Sequence, residues 1–211
     1  MPKRFSCPCL SCLGIIRSIV KALEAFMLTP SHIIEADYPF HYDRRKAREV
    51  ILYIANRTLK SDRFHICKIV YFADRYHLEH YAGLIYGDNY TAMEYGPVPS
   101  GLYDIIKQAD LSGDKDIVVT DSGVTALRDA DLDELSESDK EALNWAIERY
   151  GNMPFKELSK ISHDEVWNAA TNNGKEITPN SPTRAVPIPF QRIIESTKNG
   201  DLIWSYLQEF C

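Results

Sequence analysis

The chain lacks the local signatures of the common group-transfer enzymes. Among its 211 residues there is no Gly-x-x-x-x-Gly-Lys-Ser/Thr loop and no Gly-x-Gly-x-x-Gly loop, so the usual backbone cradle for a nucleotide is missing. No serine stands in a Gly-x-Ser-x-Gly elbow. Ser100, Ser162 and Thr171 are ordinary hydroxyls by context, and Pro99-Ser100-Gly101 reads better as a helix cap. No run approaches the ~18 uninterrupted apolar residues of a membrane span. Positive charge is scarce: 24 Lys and Arg against 30 Asp and Glu give a net charge of −6. That balance argues against nucleic acid as the main partner, because gripping a phosphate backbone takes clustered cations. The cysteines are few and uneven, at positions 7, 9, 12, 67 and 211, and form no disulfide framework. A reducing, cytoplasmic setting is the simplest expectation.

What remains is enough for a packed domain, with 45% hydrophobic and 26% charged residues. Residues 1–42 read as an extension and linker. Basic residues precede an apolar stretch that Arg17, Lys21 and Glu24 interrupt. Ile16, Ile19, Val20, Leu23 and Met27 have helical spacing. An amphipathic helix on a membrane or partner is one reading. The simpler one is an extension that the folded domain does not need. Two prolines and no period mark 29–42 as linker, and the domain is expected over 43–211.

Within it, Asp43 caps a predicted helix to Leu59 with the stripe Ala47, Val50, Ile51 and Ile54. Asp62 caps a second, Arg63 to Tyr81, with Ile66, Ile69, Val70, Ala73 and His77 inward and Gly83 as its stop. A short strand at Tyr90–Met93 precedes Gly96-Pro97-Val98-Pro99, where the prolines forbid helix. A helix from Ser100 to Leu111 follows, then a β-hairpin over 116–127 and a helix from Ser136 or Ser138 to Tyr150. Phe155–Ile161, Glu165–Ala170, Phe190–Lys198 and Asp201–Phe210 are further helices. Residues 172–189 read as an extended excursion. The expected fold class is mainly α, a compact helical domain with a small antiparallel β-hairpin element.

Several constellations compete for function. Asp74, His77, Glu79 and His80 share a helix, and His with carboxylate can hold a divalent ion for hydrolysis. The spacing is not His-Glu-x-x-His, and polar surface residues with one packed imidazole explain it better. Cys7, Cys9 and Cys12 could bind zinc with a fourth ligand such as His32 or His41, yet a free tail frames a tetrahedral site poorly. Cys67 reads as packed in its helix. The helix and hairpin from Ser100 to Leu127 outline a winged helix, but Gly113–Arg128 offers only Lys115 and Arg128 to phosphate. Tyr71, Arg75, Tyr76, Tyr86, Tyr90, Tyr95 and Tyr103 are of the types that dominate binding hot spots, though single tyrosines more often pack inside.

The run KIVYFADRYHLEHYAGLIYGDNYTAMEYGPVPSGLYDIIK, residues 68–107, resembles the signature of the Panacea antitoxin domain, the SocA-like or phage-associated-protein family. Lys68, Tyr71, Ala73, Asp74, Gly87, Asp88, Tyr90, Ala92, Gly96, Pro97, Val98, Leu102 and Tyr103–Lys107 carry the match. LSKISHDEVW, residues 158–167, is similar to a second family element. The resemblance implies a non-enzymatic antitoxin of a toxin–antitoxin pair. Such a protein neutralises a cognate protein toxin by direct binding, with hand-over of the toxin to a protease as a second route. It implies no catalytic residues, no metal and no cofactor. Expected toxin contacts are Lys68, Tyr71, Asp74, Arg75, Tyr95, Gly96, Pro97, Val98 and Tyr103. The alternatives are a metal-dependent hydrolase using Asp74, His77 and His80, or a DNA-binding autoregulator.

Overall fold

The computed structural model of the protein describes residues 40–177 and 184–210. The expected amphipathic segment at 13–28, the three clustered cysteines and most of the linker lie outside the described residues. Eight helices are described: α1 (Arg44–Ala55), α2 (Arg63–Tyr81), α3 (Ser100–Ser112), α4 (Glu137–Tyr150), α5 (Phe155–Ser162), α6 (Glu165–Ala170), α7 (Phe190–Glu195) and α8 (Gly200–Phe210). The five described strands are β1 (Tyr90–Met93), β2 (Gly96–Pro99), β3 (Ile117–Thr120), β4 (Gly123–Ala126) and β5 (Val186–Ile188). The fold is mainly α with small antiparallel sheets.

Helix α2 is the axis of the molecule. Asp62 accepts a hydrogen bond from the His65 N–H and caps it. The predicted stripe is buried, and so are Cys67, Lys68, Tyr71, Phe72, Asp74 and Leu78 on other faces. A helix covered nearly all round has to satisfy its polar side chains inside the protein. α2 packs most extensively against α4, and α1, α3, β2, α5, α7 and α8 also contact it. α4 begins with a capping box, in which Ser136 and Asp139 each satisfy the other's backbone N–H.

β1 is central in the sheet β2-β1-β5, antiparallel to both neighbours. The two edges, Gly-Pro-Val-Pro and Val-Pro-Ile, both carry proline, which lacks a donor and is tolerated where the ladder ends. β3 and β4 form the separate predicted hairpin.

Five local expectations need correction, one being that α7 ends at Glu195 and not Lys198. α1 stops at Ala55 and not Leu59, because the Arg57 and Thr58 N–H groups both turn back onto the Ile54 carbonyl. α2 ends with Ala82, not Gly83, in the left-handed region at φ 53°. Ser100 does not cap α3. Its N-cap is Pro99, and the carboxylate of Asp88 accepts from the Gly101 and Leu102 N–H groups at 2.8 Å each. The excursion at 172–189 contains β5, whose pairing with β1 is long-range and has no local signature.

Candidate partner-binding site

The turn joining β1 to β2, Glu94-Tyr95, is gripped from beneath by polar side chains. Trp167 on α6 donates its indole N–H to the Met93 carbonyl at 2.8 Å. His163 stacks on Trp167 with ring centroids 3.9 Å apart, and its Nε2 reaches the Glu94 carbonyl at 3.1 Å. Lys68 on α2 donates to the Pro97 carbonyl at 2.6 Å. Gly96 has φ +105°, and a Cβ there would stand 2.4 Å from Ser162 Oγ and 3.0 Å from Lys68 Nζ. Only glycine lets this strand lie so close to α2 and α5.

A second network fixes α6 to α2. Tyr71 donates its hydroxyl to Asp164 at 2.7 Å, and Arg75 bonds the same carboxylate oxygen and the Ser196 carbonyl. The other Asp164 oxygen caps α6 through the Val166 and Trp167 N–H groups. Asp74 is fully buried and accepts from the Ile85 N–H at 2.9 Å and the Tyr90 hydroxyl at 2.8 Å. These bonds route the chain from the end of α2 into β1.

Burial shifts several of these groups. Lys68 is 1% exposed, and desolvation pushes its ammonium down to about 7. Asp74 is pushed up to about 7 by the same cause, against the two bonds that favour its anion. Burial raises the Cys67 thiol to about 12, which removes it as a nucleophile at neutral pH. Cys67 is packed, as expected.

Above this frame lies a pocket of about 380 Å³ between the start of α2 and the β1–β2 turn. Phe64, Met93, Val98, Tyr95 and Tyr103 supply its apolar lining, and Lys68 and Gly96 also border it. Five of the nine expected contact residues thus converge on one concavity: Lys68, Tyr95, Gly96, Val98 and Tyr103. Tyr95 is 49% exposed and packs edge-on against Phe155, while Val98 and Tyr103 are half-buried. Tyr71, Asp74 and Pro97 are buried behind the pocket, and Arg75 is committed to Asp164.

The residues that give the sequence its signature are therefore those that build and hold this turn. Residues 66–168 match the family model described as "Antitoxin SocA-like, Panacea domain". Over these residues the chain is similar to SocA-like Panacea domains. No curated protein and no solved structure matches it. Much of the matched signature is internal: Lys68, Asp74 and Asp88 each bond backbone of another element, and Gly96 makes room for the Ser162 and Lys68 side chains.

The competing constellations do not assemble. Asp74 points into the core, whereas His77 bonds the Gly83 carbonyl and Ser138, and His80 stacks on Tyr76. Among the described residues no group of three His, Cys, Asp or Glu side chains is placed to hold a metal ion. Ser162 donates to the Ser159 carbonyl, and Thr171 donates to the Trp167 carbonyl. In the hairpin, Arg128 pairs with Glu49 at 2.7 Å and with Asp116 at 3.0 Å, so one of the two cations offered to phosphate is neutralised. No helix of the described residues is long and apolar enough to cross a membrane.

No local pattern in the sequence marks Phe64, Arg63 or Arg184 as pocket residues, and the His163 and Trp167 element carries no local sign of its task. Aromatic residues beside a Gly-Pro turn were the only available signal.

Proposed function

We propose that this protein is an antitoxin that binds and neutralises a cognate protein toxin by direct contact, through the face formed by the β1–β2 turn and the adjoining pocket. The observation that carries this reading is the division of labour around Tyr95. The polar groups beneath the turn are spent on internal bonds, and what reaches the surface is the exposed Tyr95 ring beside half-buried Val98 and Tyr103. A preformed aromatic concavity on a rigid support suits recognition, because little side-chain freedom is lost on binding. Within this reading Lys68, Tyr71, Asp74, Arg75, Gly96 and Pro97 act by shaping the face, and Tyr95, Val98 and Tyr103 by touching the partner.

The direct test is co-expression with the product of a neighbouring reading frame that arrests growth when expressed alone. The chain is expected to restore growth, and Tyr95→Ala to weaken the rescue while remaining soluble and folded. A soluble chain that fails to rescue contradicts the proposal. Delivery to a protease is the second route. It predicts that toxin levels fall after translation is stopped in cells holding the antitoxin, whereas simple capture leaves them steady.

A further inference from the structure

The pocket beside Tyr95 has an electrostatic character opposite to that of the whole chain. The protein has a net charge of −6, yet two guanidinium groups, Arg63 and Arg184, border this concavity against one carboxylate, Glu94, while the nearby Lys68 is spent on the Pro97 carbonyl. Arg63 is only partly satisfied. One terminal nitrogen pairs with Asp110 at 2.9 Å, and its Nε is buried with no hydrogen-bond partner. Arg184 is exposed and makes no ion pair among the described residues. The remaining lining is aromatic and aliphatic.

We propose that the pocket receives the C-terminal residue of a partner polypeptide, a large apolar side chain with its free α-carboxylate. The apolar group fills the space between Phe64, Val98 and Tyr103, and the carboxylate meets the guanidinium groups at Arg63 and Arg184. A chain end carries both features on one Cα, so they enter together. The volume of about 380 Å³ lies at the lower end of the roughly 300–1,000 Å³ typical of ligand pockets, and suits an end rather than a through-going segment. A guanidinium recognises a carboxylate with two parallel bonds, which gives the fit direction as well as strength. The inference rests on the reading of this face as the partner surface and assigns the chemistry of what it grips.

The test needs no toxin. N-acetyl-L-phenylalanine is titrated into the full chain and followed by NMR, alongside N-acetyl-L-phenylalaninamide, which keeps the ring and lacks the charge. The acid is expected to bind in the millimolar range, with shifts at Tyr95, Val98 and Tyr103, and the amide roughly tenfold more weakly. Arg184→Gln, a change at an exposed residue, is expected to remove most of that preference and leave the weak amide binding unchanged. Equal binding of acid and amide, or no binding of either, overturns the proposal. So does tighter binding of N-acetyl-Phe-Asp-amide than of the acid, which would place the carboxylate on an internal acidic residue. Loss of probe binding with growth rescue intact removes the chain-end assignment and leaves toxin capture standing.

Discussion

Replacing Lys68 with Met removes a buried ammonium from the floor of the turn and keeps the length of the side chain. Lys68 is 1% exposed, and burial lowers it from the usual 10.5 to about 7. The unfolded chain therefore binds more protons than the folded one between these values. Stability contributed by this group is fully present above 10.5 and is lost as pH falls towards 7. At ~1.36 kcal/mol per tenfold change, the penalty near pH 7 is on the order of 4 kcal/mol, falling to about 2 kcal/mol at pH 9. The parent should thus gain about 2 kcal/mol relative to Lys68→Met on going from pH 7 to pH 9. The variant also orphans the Pro97 carbonyl, a cost of roughly 1–3 kcal/mol, which does not change with pH and drops out of the comparison. Asp74 also titrates near 7, but the change is common to both proteins. Urea unfolding followed by tryptophan fluorescence at the two pH values measures the difference. Parallel pH profiles for parent and variant would refute the buried, destabilised ammonium.

Three further substitutions test the frame. Tyr86→Phe deletes a buried hydroxyl without a hydrogen-bond partner, so thermal unfolding should show unchanged or slightly raised stability, by up to about 1 kcal/mol; a loss above that would mean the hydroxyl is bonded. Asp88→Ala strips the first turn of α3 of two N–H partners and should cost about 2–3 kcal/mol, with faster amide exchange at Gly101 and Leu102. Gly96→Ala forces a Cβ onto Ser162 Oγ at a positive φ and should destabilise by more than about 2 kcal/mol in chemical denaturation. Retention of parent stability would show that the turn is not held close to α5.

Helix starts were legible where a cap and an apolar period coincided. Asp62 with the stripe from Ile66 to His77, and Ser136 with Leu143 and Ala146, place α2 and α4 to within a residue of their ends. Helix ends set by distant partners were not legible. The cap of α3 comes from Asp88, across the β1–β2 hairpin, and no local pattern reports it. β5 was invisible for the same reason. The site was half legible: the run from Lys68 to Tyr103 was singled out, yet its buried and exposed members look alike in sequence. Tyr71 and Tyr95 differ only in that one meets Asp164 and the other meets solvent. Pocket cations on α2 and before β5 lie more than a hundred residues apart, at Arg63 and Arg184, and only the fold brings them to one concavity.

Neutralisation by contact alone can be read from the intact mass of both partners recovered from rescued cells. A stable complex is expected, in which toxin and antitoxin each keep their unmodified mass and from which the separated toxin is active again. A toxin recovered free of the antitoxin, altered in mass and inactive, would contradict it.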